Sequence, residues 1–129
     1  MVIDTSAVVA IFLAEPERPA FLDLIFQAHS RLMSAANVVE AGIVLEARRG
    51  EAAGREFDLF VIRAGLTIAP VDGEQAELAR FAWRNYGKGR HPAALNFGDC
   101  FAYALARSSG EPLLAKGTEF RQTGIDVCP

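Results

Sequence analysis

Residues 1–14 read MVIDTSAVVAIFLA. Met1–Asp4 predicts a very short, buried strand, and Ser6–Ala14 follows at once as an apolar helix. The strand lacks strict apolar–polar alternation, as expected when both of its faces are covered. Asp4 is the polar residue at the seam.

The same order continues along the chain. Pro16 and Pro19 suit the start of a second helix that runs to about His29. Arg31–Ser34 is a short strand. Ala35–Arg49 is a helix, closed by Gly50 and with Arg48 and Arg49 at its negative end. Glu51–Ala64 is a further helix, closed by Gly65, and Leu66–Val71 is a strand. Asp72 caps a helix to about Tyr86, Gly87–Pro92 is a loop, and Asn96–Ser108 is a helix closed by Gly110. Leu113–Ala115 and Ile125–Val127 are the last strands. Strands alternating with helices predict an α/β fold, a three-layer α/β/α sandwich with a central parallel sheet. In such a sheet ligands bind beyond the carboxyl ends of the strands, so post-strand residues are the functional candidates.

Size and composition agree with one domain spanning residues 1–129. The chain has 129 residues, 51% hydrophobic and 22% charged, which excludes a disordered chain, a fibrous repeat or a coiled coil. Thirteen basic against 16 acidic residues give a net charge of −3, which by itself points away from nucleic acid. The two cysteines, Cys100 and Cys128, form no CxxC, which suits a reducing compartment. The apolar N-terminal run has no basic flank and follows Asp4, unlike a secretion signal. No stretch approaches the ~20 apolar residues of a membrane helix. A cytoplasmic protein with no membrane contact is expected.

Three carboxylates stand out. Asp4 ends the first strand, although Asp4, Thr5 or Ser6 can each serve as an ordinary helix cap. Glu40 shares a helix face with Ile43 and Val44, an unfavourable place for an unpaired carboxylate unless it is a boundary residue or salt-bridged. Asp99 lies in the first turn of an otherwise apolar helix, where Asn96 and Asp99 also suit a capping arrangement. A fourth region, Lys116–Phe120, follows a strand and carries Thr118 and Glu119; a plain surface turn is the simpler reading. An α/β fold of this order can bring the three separated acids to one end of the sheet. Clustered carboxylates repel unless a cation neutralises them, and a hard divalent ion with phosphate chemistry suits such a site. His29 and His91 belong to no ligand pair or triad, Cys100 reads as a core residue, and no phosphate-cradling glycine motif is present.

Four segments together resemble a known family. MVIDTSAVVAIFLAEPE (1–17), the Glu of NVVEAGIVLEARRG (37–50), HPAALNFGDCFAYALA (91–106) and LLAKGTEF (113–120) are similar to VapC-type toxins, the PIN-domain ribonucleases of bacterial toxin–antitoxin pairs. The resemblance implies an α/β/α sandwich in which Asp4, Glu40 and Asp99 bind Mg²⁺ or Mn²⁺ and support cleavage of RNA. It gives Ser6 a supporting role at a metal ligand or water. It also implies a structured RNA substrate such as tRNA, a VapB-like antitoxin, and a homodimer or toxin–antitoxin hetero-oligomer. The chain departs from the pattern at the fourth position: Thr118 stands where an acid is common, and Glu119 replaces an Asp before Phe120. The expectation is that neither is a direct metal ligand.

Candidate RNA contacts are Arg80, Arg84, Lys88 and Arg90 around the Gly87–Pro92 loop, with Lys116 and Arg121; ordinary solvated charge is the competing reading. Leu59, Phe60 and Ile62 suit an interface or the core. Against the metal-dependent endoribonuclease stands a catalytically weak PIN-like protein whose main activity is antitoxin binding, motivated by the altered KGTEF segment. A phosphoacceptor domain is disfavoured because Asp4 has no acidic neighbour in sequence.

Overall fold

A computed structural model describes residues 1–129. Helix and strand alternate as β1 (Val2–Ile3), α1 (Thr5–Phe12), α2 (Arg18–Gln27), β2 (Leu32–Ser34), α3 (Ala35–Arg49), α4 (Glu51–Arg63), β3 (Thr67–Ala69), α5 (Gly73–Tyr86), α6 (Phe97–Ser109) and β4 (Leu113–Leu114). A 3₁₀ turn, Glu119–Gln122, follows β4. The sheet is wholly parallel, in the order β3-β2-β1-β4, with Val2 opposite both Leu32 and Leu113.

Two residues suffice for β1 and for β4 because each points to a different core. Ile3, Met33 and Leu114 face a core built from α1, α2, α3 and α4, with Ile11, Ile25, Leu45 and Phe57 at its centre. Val2 and Leu113 face the opposite core, where α5 and α6 supply Ala79, Ala82, Tyr103 and Leu105 and Leu32 packs from β2. Val2, Ile3, Leu113 and Leu114 are fully buried, so both faces of β1 and β4 are covered and their sequence is continuously apolar. The three-layer expectation holds.

The strands carry the chain to a common edge. Asp4, Ser34 and Asn96 each accept a backbone N–H at the start of α1, α3 and α6, so all three helices begin with a side-chain cap. Asp72 does the same for α5. Gly110 closes α6 in the left-handed conformation, φ 72°, where a Cβ would be strained.

Two expectations need correction. Ile125–Val127 is not a strand but a single bridge of Val127 to Leu113. Only Leu113 N–H to Asp126 O and Cys128 N–H to Leu113 O, both 2.8 Å, tie it to β4. β4 itself has two residues, so the partner has no further ladder to extend along. The loop expected over Lys116–Phe120 ends in the 3₁₀ turn, with Phe120 buried against the α5–α6 core.

Candidate active site

Asp4 is placed by backbone pairing. Its N–H donates to Leu114 O at 3.0 Å, which sets it beside the end of β4. Its Oδ2 accepts from Ser6 N–H at 3.0 Å. Its Oδ1 is buried with no hydrogen-bond partner. Asp4 is 2% exposed. Burial pushes its carboxyl above the ordinary range; hydrogen bonds from Ser6 act the other way, and the Glu40 charge adds to the rise.

Glu40 stands on α3, but not for the reason its spacing suggested. Ile43 is 62% exposed and Val39 61%, so no apolar core surrounds it. The inward face of α3 is Asn37, Ala41 and Leu45. Glu40 instead lies against the first turn of α6, where a Cβ on Gly98 would overlap its carboxylate. The absence of that Cβ gives Glu40 its place.

Asp99 forms the second half of a capping box. Asn96 Oδ1 accepts from Asp99 N–H, and Asp99 Oδ2 accepts from Asn96 N–H, both at 2.9 Å. The capping role and the pocket position coexist. The Asp99 carboxyl is raised to about 7, mainly by burial. The Asn96 N–H opposes that rise, and the charges of Asp4, Glu119 and Glu40 reinforce it. Four acids separated by up to 115 positions therefore share one electrostatic neighbourhood.

The post-β4 segment is tied to the same place. Ser6 Oγ accepts from Lys116 N–H at 2.9 Å, joining α1 to the chain after β4. Gly117, φ 101°, then turns so that the Glu119 carboxylate folds back over it, where a Cβ would collide. Glu119 faces Asp99 electrostatically, whereas Thr118 is exposed and makes no side-chain cap. Glu119, not Thr118, brings the fourth charge.

One residue of the site was not legible from its type. Asn37 is fully buried. Its Nδ2 donates to Gly98 O at 3.0 Å and to Glu40 Oε1 at 3.4 Å, and its backbone carbonyl accepts from Thr5 Oγ1 at 3.4 Å. It thus touches the three elements that carry Asp4, Glu40 and Asp99. The only sequence signal was a polar residue three positions before Glu40, on the same helix face.

The donor set is entirely hard oxygen, with no histidine or thiolate, and Asp4 Oδ1 is a buried acceptor lacking a donor; these residues fit Mg²⁺ or Mn²⁺. As the side chains stand, no three of them converge to hold one ion. The reason is visible: Asp99 is turned onto Asn96 N–H, and Glu40 onto Asn37. A carboxylate rotation at each is needed to present oxygens to an ion beside Asp4.

The expected basic contacts divide. Arg80, Arg84 and Lys88 line a cleft of about 700 Å³ between α5 and α6, which Asn96 and Cys100, the residues around Asp99, also line. Arg90 lies over the Trp83 ring at 4.6 Å. Lys116 departs from expectation: its ammonium is ion-paired with Glu15 and Glu17, which takes it out of this cationic group. His29 is exposed after α2, while His91 Nδ1 accepts from Ala93 N–H at 3.0 Å, a loop-stabilising role. Cys100 is buried, its thiol pushed up to about 11, first by burial and then by Asp99.

A family model described as "PIN domain" matches residues 1–126. Ribonuclease VapC30 of Mycobacterium tuberculosis is 52% identical over 125 residues, covering 97% of this chain and 95% of that protein. The crystal structure of M. tuberculosis VapC20, described as a Sarcin-Ricin loop cleaving toxin, matches with a TM-score of 0.77 at 18% identity, covering 96% and 95% of the two chains. A toxin–antitoxin complex from Klebsiella pneumoniae matches at 0.73 and 17% identity, covering 99% and 96%. At those identities the structures establish the shared three-layer fold.

Proposed function

The chain belongs to the VapC ribonuclease family of PIN domains, and on that premise we propose that it is a metal-dependent endoribonuclease toxin acting on structured RNA such as tRNA. The observation that carries the metal requirement is Asp4 Oδ1, buried without a partner among four mutually repelling carboxylates. Asp4, Glu40 and Asp99 would hold Mg²⁺ or Mn²⁺, which when bound polarises a phosphate and lowers the pKa of a coordinated water. Asp4 is kept pointing at the site by Ser6 N–H, and Ser6 is in turn kept by Lys116 N–H. Asn37 donates to Glu40 Oε1 and limits its swing, and Glu40, once turned toward the ion, would bind it or orient the attacking water. Glu119 adds charge at the rim but no direct ligation. Arg80, Arg84 and Lys88 attract the RNA backbone beside this acidic pocket.

The test is incubation of partner-free protein with total RNA and with tRNA, with and without Mg²⁺ or Mn²⁺. Metal-dependent cleavage by the native chain, lost in Asp4→Ala and Asp99→Asn, supports the reading. Equal activity of native and variant proteins overturns it.

A VapB-like antitoxin is the proposed partner. Phe26 on α2 and Leu59 and Ile62 on α4 are large apolar side chains left 47–75% exposed, a surface suited to an amphipathic segment. This surface also favours the second reading, a catalytically weak antitoxin-binding protein. A partner-free chain that cleaves no RNA yet binds such a segment would select it. No helix is long and apolar enough to cross a membrane, and both cysteines are free.

A further inference from the structure

The cleft between α5 and α6 is lined by three cations, Arg80, Arg84 and Lys88, and by no acid, in a chain of net charge −3. It also holds aromatic rings that the fold covers only in part. Phe97 is 80% exposed and Trp83 48% exposed. Both keep a large share of their ring surface in water. Phe101 meets Phe97 nearly edge-on, at 4.9 Å and 77°, and the Arg90 guanidinium covers one side of Trp83 at 4.6 Å. This open ring surface lies in the same cleft as the three cations and is available to a partner.

We propose that this cleft is a stacking site for unpaired nucleotides, with Phe97 and Trp83 as the platforms and Arg80, Arg84 and Lys88 as the phosphate contacts. A polyanion is favoured over an apolar helix because three unpaired cations line the walls. An unpaired strand is favoured over a duplex because base faces are available to the rings only when the strand is not paired. Phe97 lies two residues before Asp99 on the first turn of α6, so the base on Phe97 belongs to a nucleotide next to the scissile phosphate. The inference rests on the ribonuclease reading for the last point, and on the cleft alone for binding.

Trp83 is the chain's single tryptophan, so its fluorescence reports this cleft without labelling. In EDTA, where cleavage is suppressed, a short oligouridylate should quench Trp83 and bind at least tenfold more tightly than a duplex RNA of equal length. Phe97→Ala should weaken that binding about tenfold, within the 1–3 kcal/mol of one stacked base. Trp83→Ala, followed by anisotropy of an end-labelled oligouridylate, should do the same. With three phosphates neutralised, log affinity should fall with log salt at a slope of about −2, and Arg84→Ala should reduce that slope by ~0.7. Arg63→Ala, a solvent cation on α4, is the control for net charge.

Equal affinity for duplex, or unchanged affinity in Phe97→Ala and Trp83→Ala, overturns the proposal. So does concentration-dependent burial of Trp83 without RNA, which would assign the cleft to a second copy of the chain. Binding with these losses but no cleavage on adding Mn²⁺ supports the stacking site and removes the nuclease reading. Cleavage with no change in KM in these variants does the reverse.

Discussion

The acidic pocket and the cationic cleft lie side by side around α6, yet they hold their charges in opposite ways. In the pocket, Asp4 is buried and backbone-anchored, Asp99 is locked in a capping box, and Asn37 braces Glu40. In the cleft, Arg80, Arg84 and Lys88 are exposed on long side chains. Burial strengthens each interaction between charges, whereas water and salt screen it. Asp4 and Asp99 are therefore both raised above the ordinary carboxylate range, first by burial and then by their charged neighbours. Cleft cations act individually and weakly. One region fixes geometry; the other, on the proposed reading, collects and aligns a polyanion.

The sharpest break of this contrast is at Asp4. Asp4→Ala should lower metal-dependent cleavage by about a thousandfold or more, through kcat, because the anchoring carboxylate has no substitute. Single-turnover cleavage of a labelled RNA checks it.

Asn37 comes next. Asn37→Ala leaves buried Gly98 O without its donor and should cost ~1–3 kcal/mol of stability, read by denaturant unfolding. Mn²⁺ affinity, read by calorimetry, should fall about ten- to a hundredfold, as for other residues that orient ligands. Loss of stability with unchanged Mn²⁺ affinity would make Asn37 a fold residue only.

Titration separates the two regions without mutation. Asp4 and Asp99 ionise less readily in the fold than in the unfolded chain. Their neutral forms favour the fold, so this contribution is full below the unfolded value of 3.8 and is lost as pH rises through about 7 for Asp99. In EDTA the thermal midpoint should fall between about pH 4 and about pH 7, and Asp99→Asn should flatten that fall. Saturating Mn²⁺ should restore the midpoint at the upper end, by binding the folded state.

Gly98→Ala tests position alone. The added methyl displaces the flexible end of Glu40 and leaves the backbone helical. Cleavage should drop about tenfold while stability holds or rises by ~0.5–1 kcal/mol, the usual gain of Ala over Gly in a helix. The smallest effect belongs to the cleft. Arg84→Ala should raise KM a few-fold with kcat unchanged, more at low salt than at high.

Legibility followed the same divide. Caps and glycine stops are local, so Ala35–Arg49 and the Asp72 and Asn96 caps were readable from spacing. The last strand was misread because Ile125–Val127 has strand-like residues but only two residues of β4 to pair with. Asp4 and Asp99 were visible as acids at the starts of helices. Glu40 was picked out by a face that proved to be solvent-exposed, so the residue was identified by a wrong argument. Lys116 counted as a free cation until Glu15 and Glu17, a hundred positions earlier, were found beside it.

The chain by itself determined the order of strands and helices, the two-faced burial of its strands and the residues at the carboxyl edge, because periodicity and capping act within a few residues. Tertiary structure alone decided that Asn37 joins three elements and that Glu119, not Thr118, faces Asp99. It alone set three cations and two open rings around one cleft. Those facts depend on which segments the parallel crossovers bring together, and pairings between residues tens of positions apart leave no local trace.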